Sequence, residues 1–267
     1  MSLKNTIKKI LKSIAPQQAE AYFNRRINEH QLQFEEKLGL PKLQSQYLKD
    51  NPATVLRGPF KGMNYISEAT GSMYVPKLIG SYEEELHPFL EEMILCNPSL
   101  IVDIGCAEGY YAVGMARTLP NATIHAFDMD ERARLLCAKL AQCNDVEKRV
   151  KIGIEASAES LSNILQKGSF IICDCEGCES FVLDPLACKT LSHCDILIEI
   201  HEHLVPGTMD TLKKSFSGTH EWIIIGQEPR NTDKYPELAT FVSDDALKLV
   251  SEYRPLAQKW VFLRYNR

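Results

Sequence analysis

Ile101-Val102-Asp103-Ile104-Gly105-Cys106-Ala107-Glu108-Gly109-Tyr110-Tyr111 is the stretch whose reading decides the fold. A run of apolar, mostly β-branched residues enters a turn marked by Gly105 and Gly109. Past the turn, apolar residues recur at helical spacing from Tyr110 to Leu119. A second apolar run, Thr123 to Phe127, ends on the acid Asp128. Strand, turn, helix, strand and acid in that order place a helix N-terminus and a carboxylate side by side at the carboxyl edge of a parallel sheet, a geometry that holds a nucleoside. The alternative is an ordinary strand–turn–helix corner that binds nothing.

Spacing bears on which nucleoside. A dinucleotide fingerprint beginning at Gly105 needs glycines at 107 and 110, and the chain has Ala107 and Tyr110 there. A tyrosine in the place where helix and strand pack closest is a poor fit. The spacing is instead Gly-x-x-x-Gly, with Gly109 expected to leave its backbone open to close approach. S-adenosyl-L-methionine, which carries no pyrophosphate, suits such a loop. Asp128 would then accept from its ribose hydroxyls.

Outward from this unit, short apolar runs at 100–104, 123–127, 150–154, 169–173 and 195–200 alternate with helical patterns at 110–119, 131–143, 158–165 and 179–186. Nearly continuous apolar strands are buried on both faces, so the alternation predicts an α/β fold with a doubly wound parallel sheet. Trp222 to Ile225 reads as a further strand, Asp244 to Tyr253 as a helix, and Trp260 to Leu263 as a last strand. Residues 51–98 form a connecting segment whose helix, Tyr82 to Cys96, leads into the first strand. Ser81 and Glu84 have capping-box spacing at the start of that helix, while Tyr82 and Glu83 could close over a cofactor.

Residues 1–50 read as a helical N-terminal arm. Leu3, Ile7, Ile10, Leu11 and Ile14 form a stripe opposite Lys4, Lys8, Lys9 and Lys12, and a second helical stretch runs from Gln17 to Leu38. The arm is expected to pack on the main domain, to join two subunits as a homodimer, or to touch a membrane surface peripherally.

Composition bounds the rest. The 267 residues are 45% hydrophobic and 24% charged, with a net charge of −5, and the isoelectric point is near 5.9. An acidic chain with no long basic run outside its N-terminus is a poor partner for nucleic acid. No apolar run has the length of a transmembrane segment, and no secretory leader is evident. Nine cysteines, several inside strands and helices, suggest reduced thiols and a cytoplasmic protein.

These motifs together resemble the class I S-adenosylmethionine-dependent methyltransferases of the FkbM family. The resemblance rests on Val102 to Tyr111, on Phe127-Asp128-Met129-Asp130, on Asp174-Cys175-Glu176-Gly177-Cys178-Glu179 as an Asp-x-Glu-Gly-x-Glu signature, and on Leu197-Ile198-Glu199-Ile200-His201. It covers residues 78 to 267 and leaves out the arm. It implies a seven-stranded Rossmann-like sheet with the last strand antiparallel, and O-methylation of a small-molecule or sugar hydroxyl. Cys106, Cys173, Cys175 and Cys178 depart from the family's usual residues, which bears on the identity of the substrate.

On this reading the cofactor is held by Gly105, Cys106 and Gly109 through their backbones, by Asp128 at the ribose, and by Met129, Ser157 and Ala158 around the adenine. Asp103 would reach the methionine ammonium through water or, alternatively, cap the glycine turn. Asp174, Glu176, Glu199, His201 and His203 converge where an acceptor would lie. Three roles stay open for them. His201 or Asp174, with Glu176 beside them, could act as a general base; a divalent metal on Asp174, Glu199 and His201 could activate the hydroxyl; or the groups could form a structural network. Cys173, Cys175 and Cys178 also have a loose zinc-like spacing, against which stands their reading as small core residues. Two other functions remain: an NAD-dependent oxidoreductase, disfavoured by Ala107 and Tyr110, and a non-catalytic partner protein of the same fold.

Overall fold

The computed structural model describes residues 30, 32–254 and 258–266. Two compact units divide at residues 51 and 52. The described part of the first is helical over residues 32–38 and again in α1, Leu40–Asp50, which carries a proline in its first turn. The basic stripe of residues 3–14 lies outside the described residues, as do the expectations of membrane contact and dimerisation attached to it.

The second unit holds seven strands: β1 Leu100–Ile104, β2 Thr123–Phe127, β3 Val150–Gly153, β4 Phe170–Cys173, β5 Asp195–Ile200, β6 His220–Gly226 and β7 Lys259–Tyr265. They form one sheet in the order β3-β2-β1-β4-β5-β7-β6. β1 to β5 pair in parallel, and β7 runs antiparallel between β5 and β6. This is the seven-stranded Rossmann-like arrangement expected, with the last strand reversed. Its helices are α2 Tyr74–Ile79, α3 His87–Cys96, α4 Tyr110–Thr118, α5 Glu131–Cys143, α6 Ala158–Ile164, α7 Glu179–Val182, α8 Thr208–Phe216 and α9 Ser243–Val250.

Strand alternation makes two cores. Val102, Ile104, Ile171, Cys173, Ile196, Ile198, Val261 and Leu263 share one face and cluster with Leu161 of α6, Leu183 after α7, and Leu212 and Phe216 of α8. The opposite face carries Phe262, against which Phe89 of α3 packs at 5.4 Å, and Trp260, against which Tyr111 of α4 packs at 6.3 Å. Asp103 and Glu199 lie on this second face, as their register with Ile172 and Trp260 shows. Both are buried, so the fold carries two acids into its interior beside the carboxyl edge.

Several local expectations change. The helix expected from Tyr82 starts instead at His87, after a short 3-10 turn over Glu84–Leu86. The Ser81–Glu84 capping box does not form, because Glu84 accepts from Lys234 and Tyr235, while the Ser81 hydroxyl turns to the carbonyl of Val250. The 179–186 pattern shrinks to the single turn of α7, since Pro185 has no N–H and bars helical geometry at Asp184. Helices α2 and α8 lie in stretches for which the sequence reading expected no helix. No described helix is long and apolar enough to cross a membrane.

Candidate functional site at the strand-order reversal

The chain moves outward from β1 to β3, then returns to lay β4 on the other side of β1. A crevice opens at such a reversal, outside the carboxyl ends of the strands. Here the two ends are pressed together. The Asp174 N–H donates to the carbonyl of Ile104 at 2.8 Å. Gly105 sits at φ 83°, where a Cβ would collide with the backbone carbonyl of Asp174. Glycine is therefore required at 105 by backbone meeting backbone, as well as by its left-handed conformation.

The turn itself is closed on its own hydrogen bonds. Gly105 N–H and Cys106 N–H both donate to the Phe127 carbonyl, Gly109 N–H to the Cys106 carbonyl, and Ala107 N–H to Asp128 Oδ2 at 2.9 Å. The other Asp128 oxygen accepts from the Asp130 N–H at 2.8 Å. Asp128 thus pins the glycine turn, holding Ala107 at φ 47°, a conformation that residues with a Cβ seldom adopt. Gly109 differs from expectation. The Cys137 sulfur lies 2.8 Å from where its Cβ would be, so the missing side chain admits helix α5 and leaves no open approach for a ligand. Cys106 is buried beside Cys137, whose hydrogen bond, together with burial, pushes the Cys106 thiol up.

Asp103 is buried, and its Oδ2 has no hydrogen-bond partner. Burial pushes its carboxyl up to about 8 against the backbone N–H of Ala112, with Asp174 and Asp128 adding like charge. Asp103 faces the first turn of α4 through this N–H, and its Oδ2 is left without a hydrogen-bond partner.

Past β4, Asp174, Glu176 and Glu179 meet His201, which follows β5. The His201 ring is fully buried. Its Nδ1 lies 2.6 Å from Glu179 Oε1, which also accepts the Gly177 N–H at 2.9 Å. A carboxylate oxygen that already accepts from one N–H accepts from a second, which assigns the proton to Nδ1. Nε2 then faces Asp174 Oδ1 at 3.6 Å, Glu176 Oε2 at 3.5 Å and Glu199 Oε2 at 3.6 Å, all longer than hydrogen bonds. Burial alone would lower the His201 pKa; the Glu179 hydrogen bond and the Asp174 and Glu176 charges outweigh it and raise it.

A second group adjoins. Arg254 donates to Glu83, to Glu199 and, at 3.0 Å, to Glu252. Tyr111 donates to the other oxygen of Glu83. Burial raises the Glu83 and Glu199 carboxyls despite this guanidinium, with Glu252 and Asp174 respectively adding to the rise. Around Arg254 and His201 stand Glu83, Glu199, Asp174, Glu176 and Glu179, so the crevice carries an excess of acid.

The outer positions are less gathered. Met129 is 53% exposed beyond β2, and Ile154, which the sequence did not single out, is 63% exposed beyond β3. Ser157 is exposed and engaged with Ser160 through both its hydroxyl and its N–H in the capping box of α6, and Ala158 follows it, half-buried. Tyr82 packs edge-on to Tyr110 at 5.4 Å and under the Lys77 ammonium, part of an aromatic cluster that supports α4. The buried Lys77–Glu108 pair, joined by Tyr65 at 2.6 Å, fixes the turn from the connecting segment.

The cysteines also differ from a fully reduced set. Cys175 and Cys178 form a disulfide. Left-handed Glu176 and Gly177 between them curl the loop until the two Cα atoms lie 5.5 Å apart, within the span a disulfide bridges. Cys173 remains a free thiol in the core, 3.7 Å from the Cys175 sulfur. Two of the three sulfurs of the loose zinc-like spacing are thereby used.

No protein-family model matches the chain, and no curated protein matches it. Solved structures similar to it include an rRNA methylase from Streptococcus thermophilus, 12% identical at a TM-score of 0.46, covering 68% of this chain and 97% of that one. An O-methyltransferase from Bacillus cereus in complex with SAH is 11% identical at 0.44, covering 65% and 77%. A precorrin-6y C5,15-methyltransferase from Geobacter metallireducens is 10% identical at 0.42, covering 67% and 89%. At such identities and scores these likenesses carry no argument about chemistry, which rests on the site itself.

The sequence reading did not find Arg254, Glu179 as the His201 partner, or Ile154. Glu179 had a signal, being the third acid of the quoted signature. Arg254 had none, since it lies past α9 and far in sequence from the acids it meets.

Proposed function

We propose that the chain is a methyltransferase that takes its methyl group from S-adenosyl-L-methionine and passes it to the hydroxyl of a small molecule or sugar. One observation carries the choice of cofactor. The N–H groups of Gly105, Cys106, Ala107 and Gly109 are all hydrogen-bonded within the protein. A dinucleotide's pyrophosphate needs such groups aimed outward. Instead the crevice offers acid, and Asp103 Oδ2 is buried there without a partner. That chemistry suits a cofactor with an ammonium and a sulfonium and repels a pyrophosphate.

Bound S-adenosyl-L-methionine would supply a methyl group already activated on sulfur. The chain's own residues bind and orient. Asp128, set by the Ala107 and Asp130 N–H groups, keeps oxygen lone pairs for the ribose hydroxyls. Asp103 faces the ammonium, with Glu83 and Tyr82 at the same end. Met129 and Ile154 offer apolar surface to the adenine, near Ser157 and Ala158. Gly105 and Cys106 contribute backbone carbonyl atoms and shape. On the acceptor side, His201 Nε2, Asp174 and Glu176 are the groups able to receive the hydroxyl proton.

Calorimetric titration of the full chain with S-adenosylhomocysteine and, separately, with NADH tests the reading. Binding of the first and none of the second is expected. The reverse pattern would make the chain an oxidoreductase and end the proposal.

A further inference from the structure

We propose that Asp174, Glu176 and His201 Nε2 form a binding site for a divalent first-row transition metal ion, with Zn2+ the best geometric match. The sequence alone set Glu199 beside Asp174 and His201. The structure engages one Glu199 oxygen with Arg254, leaves the other 3.6 Å from Nε2, and adds Glu176 to the group.

The candidate ligand atoms, one from each residue, lie within 4.8 Å of one another. Carboxylates gathered at a loop would not suffice, and the buried histidine is what points to a ligand. His201 is fully buried, yet Nε2 has no hydrogen-bond partner, and neither has Asp174 Oδ1 opposite it. With the proton on Nδ1, Nε2 presents a lone pair to oxygens of Asp174, Glu176 and Glu199. A cation placed among them satisfies the unpartnered Nε2 and Asp174 Oδ1 together.

The surroundings match a metal centre in three further ways. Glu179, itself buried, holds the Nδ1 proton, which is the carboxylate–histidine pairing that orients metal-bound imidazoles. Nε2 lies 3.6 Å from the Asp174 oxygen and 3.5 Å from the Glu176 oxygen. Ligand atoms that far apart, each about 2.1 Å from one ion, subtend roughly 115° there, close to tetrahedral. Finally, exposure rises from none at His201 to 30% at Asp174 and 73% at Glu176. The ion therefore has an entrance on the Glu176 side, and Glu176 has freedom to close the last fraction of the distance. One imidazole with two carboxylates is a mixed nitrogen–oxygen set, better matched to zinc, iron, cobalt or manganese than to calcium or magnesium.

Three protein ligands leave a fourth tetrahedral position open, as in catalytic zinc sites. A hydroxyl placed there would lose its proton more readily. That role rests on the methyl-transfer reading; the site itself does not.

The test uses the full chain, stripped with chelator under oxidising conditions that keep Cys175–Cys178 closed. Zn2+ is titrated by calorimetry, and Co2+ by visible absorption as a report of coordination geometry. One ion per chain is expected, with a tetrahedral Co2+ spectrum. Glu176→Gln, at an exposed position where the fold is not at risk, should abolish stoichiometric binding. Glu179→Gln, which touches no ion, should weaken it about 10–100-fold. Absence of one-to-one binding, or binding indifferent to Glu176→Gln as at the exposed thiols Cys96 and Cys143, overturns the proposal and leaves a proton on Nε2 as the cation. S-adenosylhomocysteine binding is measured alongside. Nucleoside bound without metal sinks this inference alone, and metal bound without nucleoside sinks the functional reading alone.

Discussion

Replacing Gly105 by alanine should damage the protein more than its conformation alone explains. Gly105 has φ 83°, and Gly168 has nearly the same, φ 82°. Either alanine incurs about 1–2 kcal/mol for left-handed backbone. At Gly168 nothing lies within 4 Å of the added methyl, so the cost stops there. At Gly105 the methyl meets the Asp174 carbonyl, which is backbone and has no rotamer to escape into. Overpacking of that kind adds about 1–3 kcal/mol, so the Gly105 variant should lose roughly 2–5 kcal/mol in total. The gain from stiffening the unfolded chain is common to both variants and cancels in the comparison. With each kcal/mol moving the midpoint about 2–4 °C in a domain of this size, thermal unfolding should show losses of about 4–20 °C for Gly105→Ala and about 2–8 °C for Gly168→Ala. The Gly105 variant should also lose S-adenosylhomocysteine affinity, since β1 and β4 must part to admit the methyl. Equal midpoints for the two variants would show that β1 and β4 do not meet as described, and the crevice built on that meeting would go with them.

Further outcomes follow from the buried charges. Burial holds the Asp103 carboxyl at about 8, above its ordinary 3.8, so between those values the unfolded chain binds fewer protons than the native one and stability falls as pH rises. Asp103→Asn keeps an oxygen for the Ala112 N–H and removes that slope. In urea titrations it should match wild type near the lower value, surpass it increasingly toward the upper one, and bind S-adenosylhomocysteine less well; a slope identical to wild type would mean that Asp103 does not titrate there. Arg254→Met strands buried Glu83, Glu199 and Glu252 and should cost about 3–5 kcal/mol in urea titrations; a change under 1 kcal/mol would refute the buried triad. On the proposed function Asp128→Ala would remove charged hydrogen bonds to a ribose, and it should weaken S-adenosylhomocysteine by about 1.5–3 kcal/mol, roughly 10- to 150-fold by calorimetry. Unchanged affinity would take Asp128 out of the site.

What could be read beforehand was whatever leaves a local trace. Strands buried on both faces announce themselves as apolar runs, so β1 to β5 were legible to within a residue or two. Glycine and acid at the strand ends marked the crevice. Long-range pairing left no such trace. Ser81 and Glu84 have capping spacing, but Lys234 and Tyr235 claim Glu84 from about 150 residues away. Gly109 was legible as a turn residue, whereas Cys137 filling its missing side chain depends on how α5 lies against α4. The Cys175–Cys178 bridge depends on two consecutive left-handed residues, one of them Glu176, and a glutamate gives no warning of that conformation. That Arg254 takes up one Glu199 oxygen likewise depends on pairings that lie 55 and 171 residues apart in sequence.

The position of β7 sets an order of events for the growing chain. β5 is made before β6, yet the strand between them is made last. Until residues 259–265 have left the ribosome, β5 keeps one flank without a neighbour and β6 has no place in the sheet. An unpaired apolar strand flank is a template for joining other chains, so the unfinished polypeptide passes through a sticky stage that ends in a single insertion. Arg254, lying between α9 and β7, comes into position in the same stage, so the acidic crevice gains its counter-charge only as the sheet closes. A copy clipped ahead of β7 would therefore display an open flank and an unbalanced acid cluster together, two marks by which chaperones and proteases can tell it from a finished molecule.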